Sequence, residues 1–199
     1  MSGALPTSPA ASTGKLRSLQ PTRVSVSHSL KRSTRTTGAQ RWLVDLTWNG
    51  LTRAQVKPLE AFVIGQQGQA GTFTVILPGH EAPAGVGTGT PLVKGAGQTG
   101  RAVTIDGWTP SITGILKAGD LIKFSGHTKV YMVTADASSN GSGDTTVAIE
   151  PALMAAIADN EAVIVSNVPI TVSMAGDLVE SIFQPPLLYD YTLSAVEAF

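Results

Sequence analysis

The chain has 199 residues, of which 42% are hydrophobic and 14% charged, and its formal net charge is zero. Cysteine is absent, which excludes disulfides, thiolate catalysis and cysteine-based zinc sites. No apolar run reaches the roughly 18 residues of a membrane span, and the N-terminus lacks the pattern of a signal peptide. We therefore expect a soluble protein made in a cytoplasm. Because typical domains carry about 25% charged residues, the low charged fraction favours a surface hidden in an assembly.

Charge is distributed unevenly along the chain. Seven basic residues precede the first acid, Asp45, and no lysine or arginine follows Lys129. Three interpretations stay open: contact between copies arranged head to tail, a solvated surface, and nucleic-acid binding without a supporting fold motif. The candidate subunit-interface residues are Lys31, Arg32, Arg35, Asp177, Glu180, Asp190 and Glu197.

The first 40 residues contain little that could form a core. Residues 1–22 are mostly small and polar, which predicts an N-terminal arm, either disordered or ordered against a neighbour. Alternation around Val24 and Val26 predicts a short strand. The basic segment Ser29–Ala39 then predicts a long loop, ordered only on a neighbouring subunit, that leads to the next strand.

A strand, a helix and a second strand are predicted between Gln40 and Pro78. Alternating apolar residues from Trp42 to Trp48 predict the first strand. Thr52 and Gln55 have the spacing of a capping box, which predicts a helix over 52–65. The second strand is expected around Phe73.

Pro58 lies inside the predicted helix, where proline removes a backbone hydrogen bond. Proline is well tolerated in a first helical turn. We therefore expect an irregular start, with the regular helix beginning near Lys57.

The remainder of the chain predicts two further sets of strands. Short alternating segments in 80–167 predict an inserted antiparallel β-barrel, with one or two helical turns in the alanine-rich segment 151–160. Long alternating strands return in 168–199 and are broken at Pro185–Pro186. We expect them to pair with the strands of 23–79, which gives a mainly β fold, a β-sandwich domain with one flanking helix.

No group of residues predicts catalysis, so we expect no enzyme, no cofactor and no metal. The three histidines, His28, His80 and His127, lack partners at metal-ligand spacing. Trp108 and Tyr131 are candidates for contact with a surface ligand such as a glycan, although an aromatic residue like Trp108 is more often found in a core or an interface.

Several motifs resemble a family of bacteriophage tail proteins. They are RVSVSHSLKRSTRTTGAQRW, LTRAQVKPLEAFVIGQQGQAGTFTVILPG, TPLVKGAGQTGRAVTIDGW and AGDLIKF. The family is that of the distal or minor tail proteins of long-tailed phages, at the tail tip or baseplate, and the resemblance covers most of the chain from about Arg17. It implies a tail-tube-like β-sandwich domain that forms a ring, with the β-barrel inserted and facing outward.

The resemblance also implies a function and partners. We expect a ring, a hexamer in a six-fold arrangement, that surrounds the DNA channel and joins the tail tube to the hub or fibres. Its partners would be further copies of itself, the tail tube protein, and hub, baseplate and fibre proteins, with DNA only in transit and no membrane insertion. The setting would be the virion, assembled in the host cytoplasm. Alternatives are a carbohydrate-binding host-recognition module or a tube-to-baseplate adaptor of a contractile tail.

Overall fold

The computed structural model describes residues 3–184 and 188–199. As predicted, the protein is mainly β with one α-helix, α1, at Arg53–Ile64, followed by a 3-10 turn at Gly68–Ala70. The strands are β1 Thr13–Leu19, β2 Thr22–Val26, β3 Arg32–Thr36, β4 Arg41–Leu51, β5 Thr72–Val75, β6 Gly89–Val93, β7 Ala102–Trp108, β8 Leu121–Phe124, β9 Val130–Val133, β10 Thr145–Glu150, β11 Val163–Ile164, β12 Ile170–Met174, β13 Ser181–Gln184 and β14 Leu188–Glu197.

The first sheet joins the two ends of the chain. Its strand order is β1-β4-β14-β12-β5, and β13 pairs with β14. Strand β14 pairs with β4 and β12 pairs with β5, so the strands after residue 168 return to those around Trp42 and Phe73, as predicted. Alternate residues of β4, namely Trp42, Val44, Leu46 and Trp48, are buried in the core of this sheet.

Helix α1 covers this core and starts at the predicted capping box. Thr52 is its N-cap, and both reciprocal interactions between Thr52 and Gln55 are present. The prediction of an irregular start near Lys57 is wrong, because the helix is regular from Arg53 with Pro58 inside it. Pro58 and Ala54 are both exposed, so water can bind the Ala54 carbonyl that the proline leaves without an amide donor.

The N-terminal segment is ordered on its own chain, so disorder is the wrong prediction for residues 3–22. The Leu5 amide donates to the Thr74 carbonyl at 2.8 Å. The Trp48 indole Nε1 donates to the Pro9 carbonyl at 2.9 Å. Strand β1 then pairs with β4 along its whole length. Backbone hydrogen bonds fix this segment, and Leu5 is its only side chain buried in the core, with Ala11 and Leu16 partly buried against it.

The prediction of a loop at 29–39 is wrong for residues 32–36, which form strand β3. This strand pairs with β2 in a separate two-stranded sheet. The connecting turn is closed by a hydrogen bond from the Ser27 amide to the Lys31 carbonyl, 3.0 Å long, and Leu30 has a φ of 62°. The β2–β3 hairpin is therefore a folded projection.

The second sheet is a nearly closed barrel. Its order is β11-β8-β9-β10-β7-β6. Hydrogen bonds from the Val93 amide to the Glu161 carbonyl and from the Asn160 amide to the Val93 carbonyl, both 2.9 Å, almost close it. Its interior is a second hydrophobic core, which includes Ile105, Phe124 and Val147.

The prediction of helical turns at 151–160 is wrong, because this segment runs across the barrel in bends and turns. The Leu153 amide donates to Gly100, and the Gly97 amide donates to Ile157, whose side chain is buried. Long-range hydrogen bonds and this burial outweigh the helical preference of alanine.

The predicted break at Pro185–Pro186 lies outside the described residues. The predicted division into the domains 1–22, 23–79 with 168–199, and 80–167 stays a prediction.

Candidate subunit interface

The β2–β3 hairpin exposes every one of its strand residues. Arg23 lies directly opposite Arg35 in its register, and Val26 lies opposite Arg32. Two cross-strand neighbours on one face are therefore both cationic. Like charges opposite each other in a sheet repel and destabilise it.

None of the hairpin cations is neutralised by the rest of the described chain. Arg23, Lys31, Arg32 and Arg35 form no ion pair with any residue in 3–184 or 188–199. The nearby Arg17, in contrast, binds Asp45 with 2.6 Å between Nη2 and Oδ2. Three of the four unpaired cations, Lys31, Arg32 and Arg35, belong to the predicted interface set.

The predicted acidic partners differ in how far they are exposed to solvent. Asp177 and Glu180 lie on an exposed loop before β13, where the Gln69 Nε2 donates to Asp177 Oδ1 at 3.2 Å. Asp190 is half-buried, and its Oδ1 accepts the Gly50 amide at 2.8 Å. Only Asp177 and Glu180 are exposed enough to meet another subunit directly.

Glu197 is fully buried, so the prediction that it faces a neighbouring subunit is wrong for this residue. Its carboxylate forms an ion pair with Lys129 and accepts the Trp42 amide at 3.1 Å and the Val130 amide at 2.9 Å. Lys129 comes from the turn before β9, so this pair joins the barrel to the first sheet. Because this carboxylate is fully buried, a cation from another copy cannot reach it.

Further polar contacts surround this junction. Lys129 Nζ donates to Gln40 Oε1 at 2.6 Å, and the Trp42 indole Nε1 donates to the Val130 carbonyl at 2.9 Å. Burial lowers the pKa of Lys129, while its hydrogen bond to Glu197 raises it. Sequence analysis missed Lys129 and Gln40, because no local pattern distinguishes them from surface residues.

Trp108 and Tyr131 are buried in the barrel, so the hypothesis that they touch a surface ligand is wrong. Tyr131 packs against Phe124 with 5.6 Å between ring centroids, and its hydroxyl accepts the Met154 amide at 3.1 Å. Burial raises the pKa of Tyr131. These two rings hold the barrel together, which is the core role that the sequence left open for Trp108.

The described residues hold no cluster of three or more His, Asp or Glu side chains that could bind a metal ion.

An apolar cavity of about 190 Å³ lies between the N-terminal segment and the first sheet, next to Leu5, Trp48 and Pro78. Its carboxylate, Glu81, already accepts the Gly79 amide at 2.8 Å. In the described part of the chain, no helix is both long and apolar enough to cross a membrane.

Comparison with known proteins finds similarity to a phage tail protein, and the match to a family model lies in the barrel. Residues 83–168 match the family model of the B domain of distal tail protein pb9. Distal tail protein pb9 of Escherichia phage T5 is 31% identical over 101 residues, which are 51% of this chain and 49% of that protein. The chain thus aligns with about half the length of this relative. The resemblance to phage distal tail proteins that the sequence motifs predicted is therefore confirmed, and residues 83–168 carry the match to the family model.

Proposed function

We propose that this protein is a structural subunit at the tip of a phage tail, where its copies form a closed ring around the channel through which DNA passes. The similarity to distal tail protein pb9 supports the place in the tail. The virion is the expected location. The tail tube on one side and hub or fibre proteins on the other are the expected neighbours.

The observation that carries the ring is the exposure of three consecutive strands. Every residue of β1, β2 and β3 is exposed except Leu16, which is half-buried. A two-stranded hairpin is marginally stable in water, and an edge strand offers free backbone groups to another chain. Within the described residues β1 pairs only with β4. Strands that bury so little in one chain are best explained by a partner that covers them.

The charge distribution supports contact between copies. The surface of β1–β3 is basic, whereas residues after Lys129 contain acids and no lysine or arginine. Two different, complementary surfaces on the same chain generate head-to-tail contacts, which close into a ring when the rotation between copies allows it. Six-fold symmetry is the arrangement that we expect.

Electron microscopy and mass photometry of the purified protein test this proposal. We expect rings with six-fold or three-fold symmetry whose population rises with protein concentration, and we expect the protein in purified virions. A protein that stays monomeric at every concentration and is missing from virions would refute a ring subunit. The alternative hypothesis of a glycan-binding module is not supported, because the two aromatic residues proposed to contact a glycan, Trp108 and Tyr131, are buried.

A further inference from the structure

We propose that the β2–β3 hairpin of one copy docks on a surface of the next copy that combines acids and exposed aliphatic side chains. This receiving surface, here called the acidic patch, consists of Ile64, Asp177, Leu178, Glu180 and Ile182. The inference rests on the proposed ring and names the contact that builds it.

The hairpin needs an anionic partner. Arg23 faces Arg35 across the two strands, and Lys31 and Arg32 follow at the turn. No acid precedes Asp45 in the sequence, so the hairpin cannot neutralise itself. Arg23 and Arg35 lie on one face of the hairpin and Arg32 on the other, so carboxylates of a partner at the turn and on the Arg32 face would neutralise Lys31 and Arg32.

The hairpin also needs an apolar partner. Val24 and Val26 lie two residues apart and so point to the same face of the strand, with exposed fractions of 50% and 57%. Leu30 at the turn is 84% exposed. Arg32 lies opposite Val26 and shares its face. A partner for this face must therefore offer aliphatic groups with carboxylates beside them.

The acidic patch offers that combination on another part of the same chain. Leu178 is 82% exposed and lies between Asp177 and Glu180, which are also exposed. Gln69, in the turn after α1, binds Asp177 and holds this loop beside the end of the helix, where Ile64 is 65% exposed. Ile182 of β13, two residues after Glu180, is 51% exposed.

A second copy fits better than another anionic partner. Nucleic acid would satisfy the arginines but would leave Val24, Val26 and Leu30 exposed to water. Among the described residues, the hairpin strands pair only with each other, and no ion pair joins the hairpin to the acidic patch within one copy. The two surfaces are thus free to meet between copies, and each copy would give one hairpin and receive one.

A charge-swap experiment tests the contact. Variant H carries Lys31→Glu and Arg32→Glu, the cations at the turn and on the face of Val26, and variant P carries Asp177→Lys and Glu180→Lys. Each variant alone should weaken ring formation by at least about tenfold in the concentration at half-assembly, because every contact then joins like charges. All four positions are exposed, so variant H should keep the melting temperature of the wild-type monomer. Variant P also loses the Gln69–Asp177 hydrogen bond, so its melting temperature should fall slightly, and recovery of rings on mixing separates lost charge pairing from a displaced loop.

Mixing the two variants gives the decisive measurement. The hairpin of H meets the patch of P with opposite charges, and the hairpin of P meets the patch of H as in the wild type. Equal mixtures should therefore restore rings in which H and P alternate, which mass photometry and native mass spectrometry detect. The control, Lys94→Glu with Lys117→Glu on the barrel, changes net charge by the same amount as H and should assemble like the wild type. Because it breaks the surface ion pairs Lys94–Asp144 and Lys117–Asp136, its melting temperature is measured alongside its assembly.

The outcomes separate this contact from the ring itself. A wild-type protein that forms no rings would refute the proposed function. Wild-type rings together with unchanged assembly of H or P, or no recovery on mixing, would overturn the hairpin contact alone. If H assembles normally but loses retention on a short DNA duplex, the hairpin binds nucleic acid and the contact is also overturned.

Discussion

At the scale of single residues, Tyr191 shows how burial without a hydrogen bond affects stability. Its ring packs against Trp48 with 5.9 Å between centroids, and its hydroxyl has no hydrogen-bond partner among the described residues. Burial raises the pKa of Tyr191 to about 12. Ionising the buried hydroxyl therefore lowers the stability of the folded protein.

We therefore expect Tyr191→Phe to leave the free energy of unfolding at pH 7 unchanged or slightly higher, because no hydrogen bond is lost. Since the folded pKa of Tyr191 lies above its unfolded value near 10, its contribution is fully present below pH 10 and is lost as pH rises towards 12. The wild type should lose about 2 to 3 kcal/mol more than the variant over that interval.

Urea unfolding from pH 7 to pH 11.5 measures this difference. Tyr131→Phe is the contrasting variant, because the Tyr131 hydroxyl accepts the Met154 amide, and its loss should cost about 1 kcal/mol already at pH 7. Parallel pH profiles for the wild type and Tyr191→Phe would contradict the assignment.

At the scale of elements, helix α1 contains a proline that it does not need for packing. Val56, Leu59 and Val63 form its buried face, while Pro58 points to solvent. The helix persists because its capping box and its contacts with the core outweigh the missing amide. The low helix propensity of proline, taken alone, favours a shorter helix.

We expect Pro58→Ala to stabilise the protein by about 1 kcal/mol or more, because it restores the amide donor to the Ala54 carbonyl. The greater freedom of alanine in the unfolded chain offsets part of this gain. Thermal unfolding measures the effect, and Lys57→Ala, at the exposed neighbouring position, should change the melting temperature little. A lower melting temperature for Pro58→Ala would mean that the proline makes a contact that stabilises the helix.

At the scale of the whole molecule, the barrel and the first sheet are joined through a buried ion pair. Lys129 from the barrel and Glu197 from β14 bind each other in the interior, and Leu121 and Val130 of the barrel belong to the core of the first sheet. Removing one partner of such a pair leaves an uncompensated buried charge, which costs about 3–5 kcal/mol.

We therefore expect Lys129→Met to destabilise the protein by about 3–5 kcal/mol. The double variant Lys129→Met, Glu197→Leu should recover part of that loss, because it leaves no unpaired charge. Urea unfolding measures both, with Lys117→Met as the control on an exposed lysine. Equal losses in the single and double variants would show that packing, and not charge, governs the junction.

The same junction predicts the result of removing the barrel. Replacing residues 81–165 with a short Gly-Ser linker should yield little soluble protein, because Glu197 would lose Lys129 and the first core would lose Leu121 and Val130. Adding Glu197→Leu should increase the soluble yield. Equal solubility of the full chain and the simple deletion would show that the first sheet folds without the barrel.

The sequence by itself determined the features that depend on neighbours along the chain. Thr52 and Gln55 are three residues apart, so their capping box is visible in the sequence, and the helix starts there. The alternation from Trp42 to Trp48 requires one buried face and thus identifies β4. The motifs that resemble distal tail proteins are likewise local strings of residues. The match to the family model over residues 83–168 includes the motifs TPLVKGAGQTGRAVTIDGW and AGDLIKF, and the extension of the resemblance to about Arg17 stays a prediction.

Only the tertiary structure decided which polar and aromatic residues are buried. Glu197 pairs with Lys129, and the two are 68 positions apart in the chain. Trp108 and Tyr131 enter one core from different strands. Strand β1 is held by the backbone of β4, and strand β3 by that of β2, with few buried side chains to indicate either pairing. Charge and composition report what a residue is, whereas burial depends on which distant residues pack around it, so only the folded chain separates Asp177 and Glu180 from Glu197.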